Sequence, residues 1–231
     1  MGGIFIIGII FMIISFAVSQ RLKNKFKKYS KIQLNNGMTG REIAERMLAD
    51  NGIYDVTVTH VQGQLTDHYN PGNRTVNLSD DVYYGNSAAA AAVAAHECGH
   101  AVQHANAYSF LQFRSAMVPL QNISGQILNV VVLLSIFGGG FLGSFGWQSI
   151  VGIIIACYSI ITLFSFVTLP VEFDASKRAL QWIQRNNIAT SKEYDMSKDA
   201  LKWAAMTYVV AALGSLVTLL YFVMSFLGAD E

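Results

Sequence analysis

The sequence predicts an α-helical membrane protein with about four transmembrane helices and a small α+β domain outside the bilayer. Three observations carry this. Charged residues make up only 13 % of the 231 residues, against a usual share of about 25 %, while hydrophobic residues make up 52 % and mean hydropathy is +0.36. Lys, Arg, Asp and Glu are absent from Met1 to Gln20, from Ser115 to Val171 and from Trp203 to Ala229. All sixteen Lys and Arg fall instead between Arg21 and Arg114 or between Lys177 and Lys202. With so little charge and a net +1, the chain is neither disordered nor a nucleic-acid binder, since it has no surplus of cations to set against phosphates. Cys98 and Cys157 form no CxxC pair, which speaks against a disulfide scaffold and a cysteine-only zinc site.

The first span is placed at residues 4–19, about 24 Å of helix, which flanking residues must complete to cross a core of about 30 Å. The charge-free stretch from Ser115 to Val171 would be about 85 Å long as one helix. It therefore predicts two spans, 117–142 and 148–169, joined by a tight turn at Gly143 to Gln148. A fourth span follows at 206–227. The intervening segments, 20–114 and 170–205, then share one side. They hold the cations, so the positive-inside rule makes that side the cytoplasm. The cluster Arg21, Lys23, Lys25, Lys27, Lys28 and Lys31 follows the first apolar run, whereas a secretory signal carries its charge before it. The first segment is thus read as a retained anchor. Gln121, Asn122, Gln126 and Asn129 mark one end of the second span, either bonding between helices or lining a polar path. The glycines at 138–140 read as close helix packing or a loose helix end.

Outside the spans, Thr39 to Asp50 reads as an amphipathic helix with Thr39 as N-cap and Glu42 three residues on. Tyr54 to Val61 alternates and is rich in β-branched residues, which predicts a strand. Asn70-Pro71-Gly72-Asn73 predicts a turn before a second strand at Arg74 to Leu78. Ser87 to Ala105 is Ala-rich and apolar nearly all round, so it predicts a buried helix. A further helix is expected to begin at Pro170 and to break at Asn186 and Asn187.

The buried helix contains His96-Glu97-Cys98-Gly99-His100, an HExxH pattern. Residues four apart lie about 400° round a helix, so His96 and His100 share a face one turn apart. Two imidazoles so placed reach one zinc ion at roughly 2.0–2.1 Å. Glu97 flanks the ion, where it can take a proton from a water whose pKa zinc lowers and pass it to a leaving amine. The plain alternative is two packed histidines, but a buried helix with two His and a Glu needs partners for all three, which a metal supplies. Zinc with an open position needs a third protein ligand. His104 lies about 12 Å from His96 on a straight helix, and Gln103 stands where HExxHxxGxxH proteins have their helix-ending glycine. His104 is therefore read as standing behind the ligands or as structural. Glu172 is the candidate third ligand, set against an ordinary helix N-terminal acid, because a carboxylate at a membrane boundary is expensive unless paired or ligated. Asp174 either orients a ligand histidine from behind or is such an N-terminal acid. His68, Tyr69 and Arg178 are candidate donors to a developing oxyanion, or structural. Cys98 reads as a small core residue.

The run Asp67-His68-Tyr69 … Asn77-Leu78-Ser79, then Ala94 to His104, then Leu169-Pro170-Val171-Glu172-Phe173-Asp174-Ala175 resembles the bacterial neutral zinc metallopeptidases of the YugP type, over nearly the whole chain. That family is similar to the membrane gluzincins that include the CAAX prenyl endopeptidases and the heat-shock membrane protease HtpX. The resemblance implies a gluzincin-like zinc-protease domain on the cytoplasmic side of a multi-pass protein of the bacterial plasma (inner) membrane. It implies one Zn2+ per chain, with His96, His100 and Glu172 as ligands and Glu97 as catalytic base. The larger group carries an Asp four residues after its glutamate; this chain has Ser176 there, with Asp174 the nearest acid. The function expected is a membrane-bound zinc metalloendopeptidase acting on protein or peptide substrates in or near the lipid bilayer at its cytoplasmic face. The strand at Arg74 to Leu78 is expected at a sheet edge, open to an added substrate strand. Cleavage within the bilayer is disfavoured by Asn106, Gln112 and Arg114 so soon after the HExxH helix. The alternative of another class is a proteolytically silent zinc-binding scaffold; a closed structural site has four protein ligands, against three candidates here and an intact Glu97.

Overall fold

The computed structural model describes residues 2–137 and 145–228. The predicted turn at Gly143 to Gln148 lies partly outside the described residues, and the glycines at 138–140 lie wholly outside them. In chain order the elements are α1 (Gly2–Tyr29), α2 (Gly40–Asp50), β1 (Thr57–Val61), β2 (His68–Asn70), β3 (Thr75–Ser79), α3 (Asp80–Tyr83), α4 (Ala88–Ala105), α5 (Ser109–Phe137), α6 (Trp147–Arg185) and α7 (Ser191–Leu227). Four of them, α1, α5, α6 and α7, are long and apolar enough to cross a membrane.

The chain divides into two compact units. One comprises Met1–Phe16, Phe113–Leu169 and Tyr208–Glu231. Its helices leave Phe5, Met12, Leu133, Leu163 and Leu220 at least half exposed, an apolar surface far larger than water tolerates and suited to lipid. Within it α1 and α7 come close: a Cβ at Gly214 would sit 3.1 Å from the Phe11 ring.

The other unit comprises Ala17–Gln112 and Pro170–Thr207. Its centre is α4. Ser87 caps the helix by accepting from the Ala90 N–H, and the alanines at 88–92, 94 and 95 are all but inaccessible. Such small side chains bring neighbouring backbones close, so α2, the sheet, α3 and α6 pack around α4 on a core that includes Ile43, Met47, Val76, Leu78, Val82 and Ile183. The N-terminus of α2 is a capping box: Thr39 Oγ1 accepts from the Glu42 N–H, and Glu42 Oε2 accepts from the Thr39 N–H at 2.8 Å. At the break between α6 and α7, Asn187 takes φ 50°, a left-handed conformation that asparagine tolerates better than most residues.

Two expectations are corrected. Pro170 does not begin a helix but lies inside α6, as Pro119 lies inside α5. Proline's fixed φ is already helical, so a long helix can carry it at the loss of one backbone hydrogen bond and some local bending. The strand from Thr75 is not an edge either. The sheet order is β1-β3-β2, with β1 parallel and β2 antiparallel to β3. β2 had no sequence signal, because three residues are too few to show alternation.

Hydrogen bonds from the Thr39 backbone and hydroxyl hold the Glu42 carboxyl below its ordinary range. As pH falls, the unfolded chain takes up this proton before the folded one. The capping box therefore contributes fully above the unfolded pKa and is lost as pH drops through the lower folded value. Glu42→Gln should flatten the acid limb of thermal stability against pH, measured by unfolding scans from about pH 6 downward.

Candidate metal centre

His96 and His100, one turn apart on α4, meet Glu172 from α6. One ligand atom from each of the three lies within 4.8 Å of the others. Glu172 Oε2 is 3.4 Å from His96 Nε2 and 3.8 Å from His100 Nε2, and the three side chains are 13, 11 and 4 % exposed. These separations are too long for good hydrogen bonds. They come near the spacing of a tetrahedral centre instead, in which arms of about 2.0–2.1 Å hold ligand atoms about 3.4 Å apart. Two imidazole nitrogens and one carboxylate oxygen are also a donor set suited to zinc. Burial lowers the pKa of His100, but the neighbouring Glu172 and Glu97 carboxylates outweigh it, and the net shift is upward. The field at this point of the core thus favours a cation.

The helices come this close because α4 has glycine where they touch. A Cβ at Gly99 would stand 2.6 Å from the Ala175 carbonyl oxygen. Behind the ligands, the Ser176 hydroxyl lies 3.1 Å from His96 Nδ1. His100 Nδ1 lies 3.0 Å from Gln103 Oε1, and Gln103 Nε2 donates to Asp174 Oδ2 at 2.9 Å and to the Val171 carbonyl at 2.8 Å. Asp174 therefore reaches His100 only through Gln103, and it also accepts from Arg178 Nε at 2.5 Å. Neither Gln103 nor Ser176 was singled out from the sequence as a partner of the ligands. The available signal was spacing: Gln103 is three residues past His100 and Ser176 four past Glu172, each one helical turn away.

Glu97 is buried, and its Oε2 accepts from the Tyr69 N–H of β2 at 2.9 Å. Nearby, burial pushes the Asp67 carboxyl up, and the Glu97 charge adds to this, against hydrogen bonds from the Ser79 N–H and hydroxyl. The Tyr69 hydroxyl is 2.7 Å from His104 Nδ1, so His104 belongs to this side of the helix and not to the His96–His100–Glu172 group. His68 turns its Nδ1 to the Thr66 carbonyl at the exposed surface. Arg178 lies over the Tyr108 ring as well as on Asp174. Cys98 points into the core, with its thiol toward the Ala44 carbonyl. Past Glu97, α4 positions 101, 104 and 105 line a cavity of about 330 Å3 with Tyr69, Ile53, Val56, Asp55 and Arg74.

Gly99→Ala should force α6 away from α4 and separate Glu172 from the histidines. Zinc affinity of the folded variant, measured by chelator competition, should fall at least tenfold, while the more tolerant Ala101→Gly should leave it within a few-fold.

A family model described as "Putative neutral zinc metallopeptidase" matches residues 4–227. The chain is 44 % identical over 219 residues, 94 % of each sequence, to the protein of Bacillus subtilis strain 168 described as "Putative membrane protease YugP". No solved structure matches the chain. A family match that spans all four apolar helices and the His96–His100–Glu172 group, with so close a relative over the same length, places the chain in the neutral zinc metallopeptidase family.

Proposed function

We propose that the protein is a membrane-bound zinc metalloendopeptidase of gluzincin-like design, with its site on the cytoplasmic face of the plasma membrane. The observation that carries the reading is the convergence of His96, His100 and Glu172 from two helices, with the Glu97 carboxylate next along α4. His96, His100 and Glu172 would hold one Zn2+ per chain. When bound, zinc supplies a Lewis acid that lowers the pKa of water and polarises a peptide carbonyl. Glu97 is the proton carrier. The Tyr69 N–H anchors one of its oxygens, leaving the other to take a proton from the attacking water and deliver it to the amine as the C–N bond breaks. Burial of Glu97 limits leakage of that proton to bulk water.

Tyr69 and His104, paired on the Glu97 side of α4, would be the polar groups to meet a substrate carbonyl, whereas Asp174, joined to Arg178, would act behind the ligands. His68, turned to Thr66, has no assigned part. The cation-bearing segments 20–114 and 170–205 supply the site and support a cytoplasmic placement by the positive-inside rule. Spans at 4–19, 117–142, 148–169 and 206–227 would keep it beside the bilayer, so that proteins and peptides in or near the membrane are the natural substrates.

Glu97→Gln should keep zinc but lose cleavage of unfolded and membrane-anchored test substrates by at least a thousandfold. Glu172→Gln should lose both. Chelation of the wild-type protein should abolish cleavage and lower its unfolding temperature, with both restored by added zinc. Equal cleavage by wild type and Glu97→Gln would sink the assigned chemistry.

A further inference from the structure

Resting on the metal-centre reading above, we infer that Gln103 is a positioning residue that fixes which nitrogen of His100 faces the metal, and that Asp174 and the Val171 carbonyl act through it. Gln103 is fully buried, so no water can stand in for its partners. Its amide group has one end that only donates and one that only accepts. Two groups face the first end: the Val171 carbonyl oxygen at 2.8 Å and Asp174 Oδ2 at 2.9 Å. A backbone carbonyl has no proton to give, and the Asp174 oxygen also accepts from Arg178. The amide nitrogen must therefore point at Val171 and Asp174, because the flipped amide would set oxygen against oxygen twice.

The rest follows from valence. Gln103 Oε1 then faces His100 Nδ1 at 3.0 Å and can only accept, so Nδ1 carries the proton. The lone pair of neutral His100 is left on Nε2, the atom that faces Glu172. Two acceptors and one buried amide thus decide the tautomer of a ligand that touches neither acceptor. His96 has a simpler arrangement. Its Nδ1 meets the Ser176 hydroxyl, which can donate or accept and so imposes no tautomer. With a serine behind His96, the Gln103 chain is the stronger constraint on the site.

Gln103 also joins the two helices that carry the ligands. Its side chain leaves α4 and bonds to α6 at Val171 and Asp174, on either side of Glu172 in sequence. Arg178, four residues on from Asp174, braces the far end. A substitution at 103 therefore acts on ligand orientation from two directions without touching the metal or substrate.

The test uses the full-length protein in detergent. Zinc affinity is measured by competition with a chromophoric chelator for wild type and Gln103→Leu. Gln103→Leu should bind zinc about 10–100-fold more weakly, with the folded state checked by the thermal midpoint of the metal-free protein. Unchanged affinity in Gln103→Leu overturns the inference and assigns Gln103 to packing alone. Independently of any variant, nitrogen spectra of the zinc-loaded wild type labelled at histidine should show His100 protonated on Nδ1 and metal-bound through Nε2; the opposite pattern overturns it too. A wild-type protein that binds no zinc would instead bring down the metal-centre reading, and this inference with it.

Discussion

The arrangement depends on how closely α4 and α6 approach at Gly99 and Ala175. Any Cβ at position 99 would enter the Ala175 carbonyl, so the contact is backbone against side-chain hydrogen. At this spacing a glutamate from one helix reaches two histidines of the other, and a glutamine reaches back across the same seam. A larger residue at position 99 would push the two helices apart and draw Glu172 away from the histidines. The alanines of α4 extend the same principle to its other neighbours: small side chains let α2 and the sheet close around the helix, so that its polar residues are buried by backbone and not by water.

Burial then sets the terms for every charge on that helix. A buried carboxylate or imidazole without partners would be destabilising by several kcal/mol, and each polar group here has one. Tyr69 and its strand hold Glu97, while Ser176 and Gln103 back the two histidines. The group that holds Glu97 comes from the sheet, whereas on the ligand side Ser176 comes from α6 and Gln103, on α4, bonds across to α6. The proton-carrying residue and the metal-holding residues are thus supported by different parts of the fold, although they are neighbours in sequence.

The unit that holds the site is built from two stretches of chain, Ala17–Gln112 and Pro170–Thr207, with two apolar helical stretches between them. Its core therefore closes only when residues far apart in sequence meet: Ile183 and Ile43 belong to one core cluster, and Glu172 joins the histidines of α4. Membership of the neutral zinc metallopeptidase family extends across the intervening apolar helices as well as the site, from residue 4 to residue 227.

Much of this was legible because it is periodic or local. Charge-free stretches longer than a bilayer is thick point to spanning helices whatever they pack against. The Thr39–Glu42 capping box is written in four consecutive residues, and the i, i+4 spacing of His96 and His100 puts both on one face of any helix that forms there. What the tertiary structure alone decided involves groups whose partners lie far away along the chain. β2 is too short to carry a pattern, and the central position of β3 depends on a pairing with β1 that no local signal encodes. Pro170 marks a helix start in isolation, but it lies inside the continuous helix α6. The support of His100 could not be read from residue types, because it runs through Gln103 to a carbonyl, and a backbone carbonyl looks the same at every position in a sequence. Local spacing determines which side chains share a face; only packing decides which atoms they meet there, because a hydrogen bond is lost within about an ångström of misplacement.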